Sequence, residues 1–302
     1  MRVIKVLNSG FLSTFQDMGR AGYTDIGLTH SGVMDEFSYL LANALLGDRE
    51  KACIEVAFGK FEFEVLSDVS AAVCAPEGEI EINGEVFKIN RSFKLKKGDK
   101  VKIKSLKKGN FLYLCIKGGF DAPKKYSSAS VSIREKILSP IENGDVLKAN
   151  TPDVVPVRYS TIAQESGEFL NLRIIFGHQK ELFDTDEFLK KDFELLRINR
   201  QGAVLKGDIK PKKGDIISEG ISFGTVQISG GGNPIVLLKE HQTIGGYPKI
   251  GNVLPIDCFK LSQFRGKKIK FQEIKLEEAK KEVIDFYAFF KKLNFSFYEM
   301  YH

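Results

Sequence analysis

Asn83-Gly84 stands between Ile80 and Ile82 on one side and Val86 and Phe87 on the other. A two-residue hairpin of type I′ needs positive φ at both central positions, and Asn-Gly meets that need at little steric cost. The pair therefore fixes an antiparallel hairpin, and its surroundings repeat the theme. Residues 3–7, 61–66, 70–74, 79–82, 101–103 and 111–116 are apolar-rich or alternating, with β-branched or aromatic members. Lys97-Gly98-Asp99 and Lys108-Gly109-Asn110 punctuate them as turns. Strands at such close spacing predict an all-β-dominated fold, a sandwich or a barrel.

Three segments read as helices. In 35–46, Phe37, Leu40, Leu41, Ala44 and Leu45 share a face, and Gly47 follows as a C-cap. A second helix is expected over 179–191 and a third over 273–293, the latter packing back on the body. The aromatic tail 294–302 follows it. Pro152 and Pro156 and the polar run 160–167 mark a boundary. The organisation expected is thus an N-terminal β-rich subdomain (1–150), a C-terminal one (168–272) of related design, and a helix with tail (273–302). Gly144-Asp145 and Gly214-Asp215 occupy similar strand-entry positions in the two halves.

At 302 residues the chain buries roughly three quarters of its extended surface. With 43% hydrophobic and 28% charged residues, disordered, collagen-like and coiled-coil classes are excluded. No run approaches the ~18 apolar residues of a membrane span, and the start alternates like a strand rather than a signal peptide. Cys53, Cys74, Cys115 and Cys258 are widely spaced and form no C-x-x-C, so reduced thiols and a cytoplasmic location are expected. The net charge is 45 − 39 = +6, yet 35 of the basic residues are lysines in short turn clusters such as Lys210-Pro211-Lys212-Lys213. Nucleic-acid readers lean on arginine forks. Neither a nucleic-acid nor a membrane partner is expected.

Two segments can carry chemistry. The first contains Thr14, Gln16, Asp17, Arg20 and Tyr23, then Ser31 and Asp35, among glycines that let backbone approach a ligand. Each has a structural alternative: Asp35 as a helix cap, and Asp17 with Arg20 as an ion pair. The second contains Gln227 and then the run from Glu240 to Ile250, on the exit of an apolar strand. Gly245 and Gly246 offer backbone amides to an anion. Gln242 and Thr243 offer an amide and a hydroxyl, and Lys249 a cation. The order of a Walker P-loop is absent. Gly230-Gly231-Gly232-Asn233 reads as a hairpin tip. His30, His178, His241 and His302 show no metal-ligand spacing, so no metal site is expected. His241 has the pKa range for acid–base work, although an ordinary loop histidine fits as well. No G-x-S-x-G elbow exists.

These segments resemble the biotin-dependent carboxyltransferase family, also called allophanate hydrolase subunit 2-like. The first resemblance rests on Gly10, Thr14, Gln16-Asp17, Gly19-Arg20, Gly22-Tyr23, Gly27, Ser31-Gly32, Met34-Asp35, Ala42-Asn43 and Gly47. The second rests on Ser218, Gly220, Gly224, Gln227, Pro234-Ile235, Leu237-Leu238, Gln242-Thr243, the run from Gly245 to Ile250, Val253, Asp257 and Gln263. Lys117-Gly118-Gly119-Phe120-Asp121 matches a shorter motif. Within the family the chain is most similar to C subunits of bacterial ATP-dependent 5-oxoprolinases, whose relatives include antikinase antagonists.

The resemblance implies two cyclophilin-like β-barrel subdomains and work in a complex with an antikinase-like B subunit and an A subunit. Such complexes use ATP with magnesium to open the small-molecule substrate 5-oxoproline to glutamate. It implies catalytic roles for Asp17, Lys249 and Gln242. Substrate binding falls to Arg20, Ser31, Asp35, Gln227, Thr243, Gly245, Gly246 and Tyr247. Two alternatives accompany it: a regulatory module that binds the antikinase, and a biotin-dependent carboxyltransferase component needing a separate biotin carrier. The chain departs from the pattern at Glu240, where the family carries aspartate, and at Ala129 and Val204, where it carries arginine.

Overall fold

The computed structural model describes residues 1–212 and 216–299, with side chains to residue 293. The strand entry expected at Gly214-Asp215, with Lys213 before it, lies outside the described residues, as do the side chains of the tail 294–302. Two compact units divide the chain. One comprises Met1–Arg20, Ser31–Glu165 and the residues from Ala288 on, the other Ala21–His30 and Ser166–Tyr287.

Among the described residues the first unit has eleven strands. These are β1 (Arg2–Asn8), β2 (Leu12–Gln16), β3 (Cys53–Ala57), β4 (Glu62–Val65), β5 (Val69–Cys74) and β6 (Glu79–Ile82). There follow β7 (Glu85–Lys88), β8 (Arg91–Leu95), β9 (Lys100–Ile103), β10 (Phe111–Ile116) and β11 (Val146–Lys148). A six-stranded sheet runs β11-β1-β4-β9-β6-β7, and a five-stranded one runs β2-β3-β10-β5-β8. Val6, Phe63, Val101 and Ile103 from the first sheet and Ile54, Val56, Leu112 and Leu114 from the second bury into one shared core. Each such side chain contributes about 1.5–3 kcal/mol on leaving water. The Asn83-Gly84 hairpin forms as expected, with φ of 52° and 91° and Ile82 opposite Glu85.

Helix α1 (Glu36–Leu45) packs on β10 and β5. The strand β10 is therefore covered on both faces, which is why its sequence FLYLCI does not alternate. Under the helix, Tyr113 lies edge-on to Tyr39 at 6.4 Å.

In the second unit, a strand order of β12-β19-β16-β17-β14-β13-β20 closes into a barrel. The strands are β12 (Phe169–Phe176), β13 (Phe193–Ile198), β14 (Gly202–Lys206), β16 (Thr225–Ile228), β17 (Pro234–Leu237), β19 (Lys249–Val253) and β20 (Lys268–Glu273). A two-residue pair, β15 (Glu219–Gly220) and β18 (Ile244–Gly245), lies outside it. Leu172, Ile174, Ala203, Leu205, Val226, Val236, Ile250 and Ile269 are buried on these strands. Closure leaves no unpaired edge except at the barrel rims.

Three helices differ from their expected bounds or were not expected. The stretch 179–191 is a 3-10 turn, Lys180–Leu182, followed by α2 (Thr185–Lys190). The break is at Asp184, whose Oδ1 accepts the Glu187 amide at 2.9 Å and starts a new helix. Helix α3 (Pro255–Ser262) has proline in its first turn but an apolar N-cap, Leu254, so the usual start signal is missing. Helix α4 (Leu276–Glu299) begins later than expected because β20 runs through Glu273. Its first turns belong to the barrel unit, where Phe286 meets Phe259 at 5.8 Å.

Candidate functional site

Strand β17 delivers the chain to three consecutive buried polar residues, Lys239, Glu240 and His241, at 6%, 4% and 6% exposure. Burying three ionisable groups in a row is costly unless each is compensated. Lys239 Nζ lies over the rings of Phe223 and Phe259, 4.8 and 5.4 Å from their centroids. Glu240 Oε1 accepts Arg200 Nε at 2.7 Å. His241 Nδ1 lies 2.6 Å from the Gln242 carbonyl oxygen. A carbonyl only accepts, so Nδ1 carries the proton and Nε2 is left as an acceptor. Burial above all, then the charges of His30 and Lys239, hold the His241 pKa below its ordinary value.

Further along the loop, Lys249 is 8% exposed and its ammonium is fully engaged. Nζ donates to the carbonyls of Gly245 (3.2 Å) and Tyr247 (3.1 Å) and lies 3.0 Å from Glu219 Oε1. Gln179 joins them: its Oε1 accepts the Lys249 amide at 2.9 Å, and its Nε2 donates to Glu219 Oε1 at 2.6 Å. The Lys249 hydrogen bond, more than any other influence, holds the Glu219 carboxyl below the usual range.

A cavity of ≈ 1050 Å³ opens beside this clasp. His30, Lys239, His241, Thr243 and Lys249 line it, with Ser222, Thr225 and Asn252 at one wall. Those last three bond one another: Asn252 Nδ2 donates to Ser222 Oγ at 3.0 Å, and Thr225 Oγ1 donates to Asn252 Oδ1 at 3.2 Å. The volume is that of a small-molecule site, and all of its lining belongs to the barrel unit, including Thr24, Asp25 and Gly27 from the N-terminal segment. The arrangement supplies a cation, a proton acceptor and hydroxyls to a polar ligand.

The residues expected from the second segment fall around two cavities. Thr243 and Lys249 line the large one. Gln227, Gln242 and Tyr247 line a smaller one, and His241 lines both. Gly245 sits against Gln227, where an added Cβ would come within 2.4 Å of Nε2. The Gly246 carbonyl accepts the Ile216 amide at 3.1 Å.

Asp17, Arg20, Ser31 and Asp35 belong to the other unit and are built into its framework. Asp17 accepts the amides of Gly19 (2.9 Å) and Ala129 (2.7 Å) and the hydroxyls of Ser128 (2.5 Å) and Ser130 (2.7 Å). Arg20, 1% exposed, donates to the Ser130 carbonyl and lies 3.7 Å from Glu135. Ser31 is fully buried at φ 54°. Asp35 caps α1, accepting the amides of Phe37 and Ser38, and also accepts Gln164 Nε2 at 3.1 Å.

Sequence reasoning missed Glu219, Gln179, Lys239, Ser222 and Asn252, which come from separate strands and loops and share no local motif. For His241 a signal existed, in its place between a charged strand exit and the Gly245-Gly246 loop. Among the described residues no group of three or more His, Cys, Asp or Glu gathers to hold a metal. All four cysteines are buried and free, and burial pushes the Cys53, Cys74 and Cys258 thiols up, away from nucleophilic thiolate.

A strand-rich body with a closed barrel and a polar cavity on that barrel places the chain in a defined class. The family model "Carboxyltransferase domain, subdomain A and B" matches residues 26–273, and the chain belongs to that family. It is 30% identical over 306 residues to a protein named as the C subunit of 5-oxoprolinase from Escherichia coli strain K12, covering 96% of this chain and 97% of that one. The protein of the same name from Haemophilus influenzae is 29% identical over 294 residues, with 92% and 94% covered. The crystal structure of TTHA0988 superposes with a TM-score of 0.84 at 29% identity, over 90% of this chain, which spans 56% of that one.

Proposed function

We propose that the chain is the C-type subunit of an ATP-dependent 5-oxoprolinase, opening the lactam of 5-oxoproline to L-glutamate together with B and A subunits. The observation that carries this reading is the near full-length correspondence to two proteins named as that subunit. The cavity supports it chemically. A lactam carbonyl is a poor electrophile, and transfer of a phosphoryl group to its oxygen creates a good leaving group. That chemistry calls for cationic and hydroxyl donors around an oxyanion and for excluded water. Lys239 and Ser222 are such donors, and His241 Nε2 is the acceptor for a proton moving in the cavity.

ATP and its magnesium enter, on this reading, at the level of the complex. The chain alone is then inactive. Four buried free cysteines agree with a cytoplasmic setting, and no described helix is long and apolar enough to cross a membrane. The test is glutamate release from 5-oxoproline and ATP by this chain co-expressed with candidate A and B subunits, each omitted in turn. Release that requires this chain supports the reading. Release that persists without it refutes the reading, as does its absence from the full set.

A further inference from the structure

Four strands of the barrel place one row of residues side by side. Arg197 of β13 lies opposite Val204 of β14, Val204 opposite Ile235 of β17, and Ile235 opposite Gln227 of β16. Paired residues share a face, and Ala203, Leu205, Val236, Val226 and Ile228, which alternate with them, are all 1% exposed or less and fill the core. The row therefore looks outward. It forms the floor of the smaller cavity, ≈ 280 Å³, which the 241–247 loop flanks with His241, Gln242 and Tyr247.

The two ends of the row are chemically unfinished. Gln227 is 1% exposed, and its Nε2 has no hydrogen-bond partner. A buried amide donor left without an acceptor is destabilising. At the other end, Arg197 is exposed, and no carboxylate among the described residues pairs with it. Val204 and Ile235 between them are apolar. With strands about 4.8 Å apart, the end residues are separated by roughly 14 Å at the backbone, and both line the cavity.

The geometry points to a seat for a small organic acid with two acceptors: a carboxylate held by Arg197 and an amide or lactam carbonyl held by Gln227, its short apolar body over Val204 and Ile235. Arginine meets a carboxylate with paired donors, and the carbonyl supplies the acceptor that Gln227 lacks. The cavity lies just below the range of about 300–1,000 Å³ that drug-sized ligands occupy, so its occupant is of amino-acid size. Resting on the proposed function for its identity, that occupant is 5-oxoproline, whose ring carries both groups. The seat adjoins the ≈ 1050 Å³ cavity and shares His241 with it.

Calorimetric titration of the full chain with 5-oxoproline, L-glutamate and acetate tests this. Saturable binding of 5-oxoproline is expected, weakened about tenfold or more by Arg197→Gln and by Gln227→Met. Lys206→Gln, which removes a charge from β14 away from both cavities, should leave it unchanged. Arg197 is exposed, so its variant keeps the experiment decisive if Gln227→Met fails to fold. Binding indifferent to Arg197→Gln overturns the inference, as does absence of binding at millimolar concentrations. Acetate binding as well as 5-oxoproline overturns the two-point recognition. Binding that obeys the variants, in a chain that supports no glutamate release in the complex, leaves the seat standing and refutes the functional reading instead.

Discussion

Glu219 Oε1 stands 3.0 Å from Lys249 Nζ, whose other contacts are the carbonyls of Gly245 and Tyr247. The lysine that the sequence offers as a free cation is thereby a tie, joining β15 to the loop that separates the two cavities. Removing it strands two carbonyls and a carboxylate. Lys249→Met is expected to cost roughly 1–3 kcal/mol, read as a lower urea midpoint with an unchanged m-value. A variant as stable as the parent would show that the three contacts contribute nothing.

The same tie has a pH dependence. The Glu219 carboxyl is held below its ordinary value in the fold, so its contribution is present above the unfolded-state pKa, about 4.3. It is lost as pH falls through the folded value. Glu219→Gln should therefore flatten the acid side of the stability curve relative to the parent. Identical acid limbs for the two proteins would contradict this.

His241 works in the opposite range. Its pKa is lowered on folding, so just below the unfolded value of about 6.5 the unfolded chain binds more protons than the folded one. Stability then declines as pH drops from 7 through that window, and His241→Gln should remove this part of the decline. Thermal melts of both proteins across the window decide it, and parallel curves would count against a buried neutral histidine.

Gly245 and Gln227 make a coupled pair. A Cβ at position 245 would lie 2.4 Å from Gln227 Nε2, so Gly245→Ala is expected to cost about 1–3 kcal/mol through overpacking. In Gln227→Ala the closest obstruction is gone, leaving Ile221 Cδ1 at 3.2 Å, and adding Gly245→Ala should then cost less. Additive effects in the double-mutant cycle would mean the two residues do not meet.

Legibility differed by level. The Asn83-Gly84 hairpin, α1 with its Asp35 cap, and strands 79–82 and 111–116 were readable because local chemistry decides them. Helix α3 was not, since Leu254 caps nothing and the buried face comes from tertiary packing. At the site, polar loop residues were legible as types but not as roles. Asp17 and Asp35 have the composition of a binding loop, yet every acceptor on them that the fold engages serves the framework. The partners of Lys249 are two carbonyls, which no side-chain pattern reveals, and an acid thirty positions upstream.

The central claim is that the chemistry belongs to the barrel cavity around His241 and not to the N-terminal polar segment. Steady-state glutamate release by the reconstituted complex, comparing His241→Gln with Asp35→Ser, tests it most directly. Serine preserves a helix cap, so Asp35→Ser should keep turnover close to that of the parent. His241→Gln should lose about a hundredfold or more, the scale of a lost proton-transfer group. Full turnover in His241→Gln with loss in a folded Asp35→Ser would place the chemistry in the other segment and contradict the account.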